Sequence, residues 1–239
     1  MTLLEQFLLY FFPKTRFKSK EKHIEIVDKI ENGRAVRLLL YDGVRESGMF
    51  LDKYGDRDPL FYYMRTLKIA FDHYKGLDNM LLIGGGGFVL PRIYLNGHPE
   101  RKVTVVELEP GYVELAKRFF FLDTNDKRIK IVISDGESYI AQEAYKLTPS
   151  EKYSFIVYDA YIGDDPDTGI LSERSLREAK KLLTPDGIYA FNMINEARDV
   201  ISMETRLAQA TLKRIFNYTK IVPCPNGGNC ILFASDRKL

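Results

Sequence analysis

Four apolar runs in the sequence end in glycine or in an acidic side chain. In chain order these ends are Gly84-Gly85-Gly86-Gly87, Glu107, Asp135-Gly136 and Asp159. Glycines let backbone amides and a helix N-terminus approach a ligand closely, and carboxylates accept hydrogen bonds from ribose hydroxyls or amines. These residue types predict a site for an adenosine-containing cofactor, with a group-transfer site at its far end.

Glu107 is the acid whose spacing is most informative. It follows the glycines by about twenty residues, the separation at which an acid at the end of the second strand can hold a ribose. The alternative for Glu107 is a solvated carboxylate, although it follows the apolar run 103–106, where an unpaired charge would be costly. For Asp135, acceptance from an adenine amine and a helix N-cap both remain open.

The fourth acid, Asp159, stands beside Tyr161 and a loop that carries Asp164, Asp165 and Asp167. We expect Asp159 to orient an acceptor or take its proton, with Tyr161 beside it. Asp164 and Asp165 are candidates for an acceptor pocket.

Metal binding has no support in the sequence. Cys224 and Cys230 flank a PNGGN turn, their spacing does not match a zinc site, and no His lies near them. The turn could bring the two sulfurs close across a strand pair, but reduced thiols are the favoured interpretation.

The elements that position these residues alternate between strand and helix. Short strands rich in Val and Ile occur near 80–83, 102–108, 129–134, 155–160 and 188–194, and helical stretches near 88–96, 112–120, 137–145, 172–183 and 196–215. The segments KIVP (220–223) and CILFAS (230–235) add a terminal pair of antiparallel strands. The pattern predicts an α/β fold with a Rossmann-like, doubly wound, mostly parallel seven-stranded sheet over residues 56–239.

A smaller β domain, residues 23–55, precedes this sheet. Its segments His23–Ile30, Arg34–Tyr41 and Val44–Leu51 are separated by Asn-Gly and Asp-Gly, which are hairpin signals. We expect a three-stranded antiparallel meander that packs on another surface.

Composition and the N-terminal segment, residues 1–22, bear on partners. A net charge of +2 over 239 residues argues against a nucleic-acid partner. The run TLLEQFLLYFF is too short and too polar for a membrane span or a signal peptide, so a cytoplasmic protein is expected. It predicts an amphipathic helix that packs on the domain or on a second subunit, and the basic run 14–22 keeps interfacial membrane attachment as the alternative.

The stretch from Met80 to Asn192 resembles the spermidine synthase family of aminopropyltransferases, within the wider class of S-adenosylmethionine-dependent methyltransferases. The family's GGGDGG motif aligns without gaps on residues 84–89, because Arg92 and KVTVVE fall in register, and the meander carries the family's DGV turn at residues 42–44. The resemblance implies that Glu107 holds the cofactor ribose, that Asp135 holds the adenine amine, and that the chain forms a homodimer.

Three departures from the family pattern concern the chemistry. The Asp of GGGDGG, which pairs with the aminopropyl amine in the synthases, is Gly87 here, and the Gln after DGV is Glu46. The family's DxxDP motif becomes YDAYIGDDP, in which Asp159 keeps the first acid. A neutral Gly87 no longer repels the carboxylate of intact S-adenosylmethionine.

These departures look closer to the spermidine-synthase-like methyltransferases. The resemblance therefore implies a transferase that uses S-adenosylmethionine, with methyl transfer to a small or amine-bearing acceptor. Aminopropyl transfer from decarboxylated S-adenosylmethionine to a diamine and a non-catalytic nucleoside-binding or regulatory role are the alternatives.

Overall fold

The N-terminal part of the chain forms a helix and a small antiparallel sheet. The computed structural model describes residues 3–55, 57–162, 165–166, 171–195, 200–225 and 227–239. Helix α1 spans Leu3–Phe11, and four strands follow in sheet order: β1 (Lys14–Ser19), β2 (Ile24–Glu31), β3 (Arg34–Tyr41) and β4 (Val44–Phe50). The hairpin turns begin at Asn32 and Asp42, where both turn residues have positive φ, as type I′ turns require.

The expectation of three strands was wrong by one, because β1 extends the sheet at its edge. Its sequence KTRFKS lacks an alternation of apolar residues, so nothing in it reads as a strand. Polar contacts hold it instead: Arg16 donates to Asp28 on β2, a carboxylate with no exposed surface that also receives two hydrogen bonds from Arg37.

The larger sheet has seven strands, as the sequence predicts. After helix α2 (Tyr62–His73) the strands are β5 (Asn79–Ile83), β6 (Lys102–Glu107), β7 (Ile129–Ile133), β8 (Tyr153–Tyr158), β11 (Leu183–Asn195), β12 (Tyr218–Pro223) and β13 (Gly228–Ser235). Their order is β12-β13-β11-β8-β5-β6-β7, and the five strands from β11 to β7 are parallel. Strand order reverses beside β5, which in open α/β sheets is where ligands bind.

Helices cover both faces of this sheet. One face packs against α2, α3 (Val89–Leu95) and α4 (Pro110–Phe119), and the other against α5 (Gly136–Glu143), α6 (Glu173–Leu182) and α7 (Met203–Leu212). Successive residues of β5 enter opposite cores, Leu82 on the first face and Leu81 on the second. This alternation explains why the strands read as continuous apolar runs.

The small sheet docks on the first face of the large sheet. Arg37 of β3 donates to the carbonyl of Phe119 in α4 at 2.5 Å, and the ring of Phe17 lies 5.9 Å from that of Phe119. Ile26 and Leu39 belong to the same core as α2 and α3. This docking leaves a cavity between the two sheets.

The two cysteines do not form a disulfide. Cys224 lies near Thr66 in the core of the first face, and Cys230 lies near Thr205 in the core of the second. Because neighbouring positions of a strand pair can face opposite sides, the hairpin separates the thiols rather than joining them. Burial raises the pKa of both.

Within the described ranges, the helices are too short or too polar to cross a bilayer.

Candidate functional site

A cavity of about 840 Å³ lies at the carboxyl ends of β5, β6, β7 and β8. One wall consists of these strand ends and the loops that follow them. The opposite wall comes from β3, β4, the start of α2 and the turn between β12 and β13. The volume falls in the range of pockets that enclose small ligands and cofactors.

Gly84 shows why glycine is required where β5 ends. Its φ is +92°, and a Cβ there would lie 2.3 Å from the carbonyl oxygen of Asp159. Its amide donates to Val106 at 2.9 Å, which ties the loop to the next strand. Gly84, Gly85 and Gly86 are half-buried and line the cavity. Gly84 thus lies close to the backbone that follows β8, and the approach of this loop to a ligand stays a prediction.

Glu107 organises this glycine loop. Its Oε2 accepts from the amides of Gly85 and Gly86 at 2.8 and 3.2 Å, and its Oε1 accepts from the amide of Glu109 at 2.9 Å. The side chain is 7% exposed and lines the cavity, so it is not a solvated strand-end acid. Three charge-assisted hydrogen bonds offset the cost of burying the carboxylate.

Gly87 occupies a different environment from the three glycines before it. It is buried and does not line the cavity, and a Cβ there would lie 2.7 Å from Ser47 Oγ and 3.2 Å from the ring of Phe120. The following residue, Phe88, adopts φ +56° where the family motif has glycine, and its ring is fully buried. The space that a side chain at position 87 would need is thus occupied by Ser47 of β4 and by the ring of Phe120.

Asp135 and Gly136 lie at the start of α5, on the cavity wall. Asp135 Oδ1 accepts from the amide of Ser138 at 2.7 Å, so this residue is the helix N-cap that the sequence left as an alternative. Gly136 is needed for packing, because a Cβ would lie 2.4 Å from Ile83 Cγ2. Neither contact removes Asp135 from the cavity, and its role toward an adenine stays a prediction.

Asp159 follows β8 and is the acid with the most unusual surroundings. Asn192 Nδ2 donates to its Oδ1 at 2.8 Å, and Tyr63 donates a second side-chain hydrogen bond. Burial raises the pKa of Asp159 to about 7, the two donors lower it, and the negative charge of Glu46 raises it further. A carboxylate whose pKa lies near neutrality can accept and release protons at physiological pH.

The cavity is acidic overall, although the chain carries a net charge of +2. Among the residues that the structure describes, its lining contains six acidic side chains and three arginines: Glu31, Glu46, Glu107, Glu109, Asp135 and Asp159, and Arg34, Arg45 and Arg65. Each arginine is ion-paired, Arg45 with Glu31 and the other two with Asp58, while Arg34 also pairs with Asp52. An acidic lining of this kind favours cationic ligands.

Glu46 brings negative charge to the wall opposite the glycine loop. It lies on β4 and lines the cavity, close enough to Asp159 and Tyr112 for its charge to raise the pKa of both. The strongest cause of the raised pKa of Tyr112 is burial. The site therefore holds an acid on β4 although position 87 carries none.

Two residues that hydrogen-bond to Asp159 or to its donor Asn192 were missed by the sequence analysis. Tyr63 lies on the buried face of α2, where an aromatic residue at helical spacing reads as core. Asn229 lies on β13 beside the hairpin turn and reads as a turn residue. Asn192 is the last residue of the stretch that resembles the family, but the sequence assigns it no role in the site. No local pattern links these positions to Asp159.

The remaining predicted site residues lie at the edge of what the structure describes. Tyr161 and Asp165 have their backbones on two short antiparallel strands, β9 (Tyr161–Ile162) and β10 (Asp165–Pro166). Their side chains, and Asp164 altogether, lie outside the described residues. Within the described residues there is also no group of three or more side chains arranged to hold a metal ion.

Similar proteins include both aminopropyltransferases and methyltransferases. A polyamine aminopropyltransferase of Vibrio vulnificus is 24% identical over 177 residues, which cover 74% of this chain and 57% of that enzyme. The human eEF1A lysine and N-terminal methyltransferase is 29% identical over 160 residues, which cover 64% of this chain and 22% of the relative. The chain thus spans between about a fifth and three fifths of the length of these two relatives.

Solved structures share the fold. A probable spermidine synthase from Corynebacterium glutamicum superposes with a TM-score of 0.74 at 21% identity, covering 95% of this chain and 81% of that one. Human methyltransferase-like protein 13 in complex with SAH gives a TM-score of 0.65 at 24% identity, covering 75% and 85%. At these identities the likeness establishes the class I methyltransferase and spermidine synthase fold.

A family model described as the spermine/spermidine synthase domain matches residues 61–238, which include the glycine loop, Glu107, Asp135 and Asp159. The match covers nearly the whole of the large sheet and its helices. The chain belongs to the spermine/spermidine synthase domain family.

Proposed function

We propose that the chain is a transferase that uses S-adenosylmethionine and carries its methyl group to a small, amine-bearing acceptor. The observation that carries the proposal is the position of Asp159. This carboxylate, with a pKa of about 7, stands on the wall of the same cavity that the glycine loop and Glu107 line. A cofactor cradle and a proton acceptor therefore share one cavity.

The cofactor half of the cavity fits an adenosine-bearing group. Gly84, Gly85 and Gly86 leave a surface free of side chains, and Glu107 offers a fixed carboxylate beside them. We propose that Glu107 holds the ribose hydroxyls and that Asp135 receives the adenine amine. When bound, the cofactor supplies an electrophilic carbon next to a sulfonium, so the protein needs chiefly to align the nucleophile with it.

The acceptor half supplies proton transfer and orientation. In the proposed reaction Asp159 takes a proton from the acceptor's ammonium, and the freed nitrogen lone pair forms the new N–C bond. The C–S bond breaks, and its electron pair stays on sulfur, which becomes a neutral thioether. Tyr63 and Asn192 hold Asp159 in place through their hydrogen bonds. The acidic lining supports an acceptor that arrives as a cation.

Aminopropyl transfer from decarboxylated S-adenosylmethionine is the second candidate, and Glu46 favours it. The decarboxylated cofactor carries a primary ammonium, and Glu46 places an acid on the cavity wall although Gly87 supplies none. Two names among the relatives, polyamine aminopropyltransferase and spermidine synthase, agree with this chemistry. The two candidates differ in the group transferred and share the cavity.

A transfer assay decides between the candidates. The protein is incubated at pH 8 with methyl-labelled S-adenosylmethionine or aminopropyl-labelled decarboxylated cofactor and a panel of mono-, di- and triamines. The proposal predicts that an amine of the panel becomes N-methylated with label from S-adenosylmethionine, and that the decarboxylated cofactor transfers nothing. Transfer of the aminopropyl group alone would replace the proposal with the second candidate. Tight cofactor binding with no transfer to any amine would indicate a nucleoside-binding or regulatory role.

We also propose that the protein acts as a cytoplasmic homodimer whose contact includes α1. Phe7, Leu8 and Phe11 are 60%, 47% and 64% exposed, and Phe12 is 70% exposed. Contiguous exposed aromatic residues of this kind are uncommon on monomers. Light scattering that gives a mass near the 27.6 kDa of one chain at micromolar concentration would contradict the dimer.

A further inference from the structure

The hairpin between β12 and β13 reaches into the candidate site. Gly227, Gly228 and Asn229 line the cavity, although they follow Asp159 by about seventy residues in the sequence. Gly227 and Gly228 both adopt positive φ, and the carbonyl of Asn229 accepts from the amide of Cys224 at 3.0 Å. These contacts fix the backbone of Asn229 beside Ile194 of β11.

The side chain of Asn229 continues a chain of hydrogen bonds that ends at Asp159. Asn229 Nδ2 donates to Asn192 Oδ1 at 3.1 Å, and Asn192 Nδ2 donates to Asp159 Oδ1 at 2.8 Å. Asn192 is 3% exposed, so its amide oxygen has little access to water and needs a donor from the protein.

The donors and acceptors along these hydrogen bonds are set by the charge of Asp159. An ionised carboxylate can only accept, so Asn192 must present its NH2 group to Asp159 and turn its oxygen away. If the amide rotated by half a turn, its oxygen would face Asp159 and would favour the protonated acid. Asn229 opposes that rotation, because its NH2 group donates to the oxygen of Asn192 at 3.1 Å and would face a second NH2 group after it.

We infer that Asn229 is a positioning residue, which holds the amide of Asn192 as a donor to Asp159 and so keeps this carboxylate available as a proton acceptor at neutral pH. The catalytic meaning of the inference rests on the proposed function, whereas the hydrogen-bond chain itself does not. The other side chains of the described residues that act on Asp159 are Tyr63 from α2, as a second donor, and Glu46 from β4, as a negative charge.

The experiment measures the titration of Asp159 in the ligand-free protein by carboxyl carbon NMR. The resonance is assigned by its loss in Asp159→Asn, and its midpoint in the wild type is expected near 7. Asn229→Ala removes the donor and should raise the midpoint by about half a unit, the size of a weakened hydrogen bond to the charged form. Asn229→Asp can only accept from Asn192 and should raise it by about one unit or more.

Two control variants separate this effect from folding and from charge. Asn217→Ala changes an exposed asparagine just before β12 and should leave the midpoint unchanged. Asn32→Asp adds a negative charge elsewhere on the cavity lining and shows how strongly the midpoint responds to added charge alone. Because a nearer charge shifts the midpoint more, the decisive variant is the uncharged one, and the inference requires a raised midpoint in Asn229→Ala.

The outcomes are distinct from those of the transfer assay. An Asp159 midpoint within 0.2 units of the wild type in folded Asn229→Ala would overturn the inference even if transfer occurs. The predicted shifts in a protein without transfer activity would retain the hydrogen-bond chain and reject the proposed function. If both hold, the acid limb of the kcat/KM profile moves to higher pH in Asn229→Ala.

Discussion

The two halves of the cavity are built in different ways. The proposed cofactor half uses backbone and two carboxylates at strand ends, Glu107 and Asp135. The amides of Gly85 and Gly86, which follow β5, converge on Glu107 at the end of the adjacent β6. The acceptor half uses side chains from separate segments, with Asp159 receiving hydrogen bonds from α2 and β11. The fold alone nearly determines the first half, whereas the second depends on individual side chains that the fold brings together.

Asp159→Asn tests the proton-transfer role of the acceptor half, and we expect the largest effect for this variant. The variant keeps the shape of the side chain, and its amide oxygen can still accept from Asn192, but it cannot take a proton at neutral pH. The kcat for transfer should fall by about 10²- to 10⁴-fold, the usual contribution of a general base. Steady-state assays at pH 8 provide the measurement. Glu31→Gln, which alters an ion-paired acid of the same cavity, serves as the control, and a kcat for Asp159→Asn within threefold of the wild type would refute a proton-transfer role.

The second test addresses the cofactor half. Glu107→Ala removes a carboxylate that accepts three amide hydrogen bonds, so the glycine loop loses its anchor together with the proposed ribose contact. Affinity for S-adenosylmethionine should fall by about ten- to a hundredfold, the loss expected for one or two charge-assisted hydrogen bonds. Calorimetry on Glu109→Ala provides the control, because Glu109 lines the same wall and binds Glu107 only through its backbone. Unchanged affinity in folded Glu107→Ala would remove this assignment.

The third test asks whether position 87 can hold an acidic side chain. The structure places Ser47 Oγ at 2.7 Å from a Cβ at this position, so Gly87→Asp overpacks the contact between the glycine loop and β4. We expect a loss of about 1–3 kcal/mol in the free energy of unfolding. Adding Ser47→Gly to Gly87→Asp should restore part of the lost stability. Denaturant unfolding of Gly87→Asp, of Ser47→Gly and of the double variant measures both effects.

Only the double variant then reports on cofactor charge. With space for the side chain, the added carboxylate should weaken binding of intact S-adenosylmethionine relative to its decarboxylated form. An equal affinity of the double variant for both cofactors would show that position 87 lies too far from the cavity to select between them.

The smallest expected effect is a pH-dependent change in stability. Because the pKa of Asp159 is raised to about 7, the folded protein binds its proton more tightly than the unfolded chain between about pH 4 and pH 7. The contribution of Asp159 is therefore most favourable below this window and is lost as pH rises through 7. Asp159→Asn should match the wild type near pH 4 and exceed its free energy of unfolding by at least about 1 kcal/mol at pH 8, since one unit of pKa shift already corresponds to ~1.4 kcal/mol. A stability difference that is constant across pH would contradict the raised pKa.

Much of the fold and of the cofactor half could be predicted from the sequence. Apolar runs give strands, and Gly84 and Glu107 stand at strand ends because a parallel sheet places those ends along one edge. Strand β1 was missed because its sequence has no alternation of apolar residues; the ion pair of Arg16 with Asp28 and the packing of Phe17 on Phe119 hold it on the sheet. Gly87 aligned with an aspartate of the family, but its environment depends on Ser47, which follows the DGV turn on a different sheet.

The acceptor half was less accessible to sequence analysis. Asp159 could be recognised as a strand-end acid, but its partners Tyr63 and Asn192 lie far from it in the chain, and Asn229 reaches it only through Asn192. Helical spacing assigns Tyr63 to the core, which is correct as local structure. A Gly-Gly-Asn sequence assigns Asn229 to a turn, whereas it is the second residue of β13. Their second role arises from tertiary packing, which no local pattern encodes.

The central claim is that one half of the cavity binds the cofactor and the other half performs the transfer, and titration calorimetry with methylthioadenosine tests it most directly. This ligand carries the adenosine and the thioether but lacks the amino-acid portion of S-adenosylmethionine, so it probes the cofactor half alone. We predict that the wild type binds it, that Glu107→Ala weakens it by about ten- to a hundredfold, and that Asp159→Asn leaves its affinity within about twofold of the wild type. No binding to the wild type, or an equal loss in the two variants, would contradict the claim.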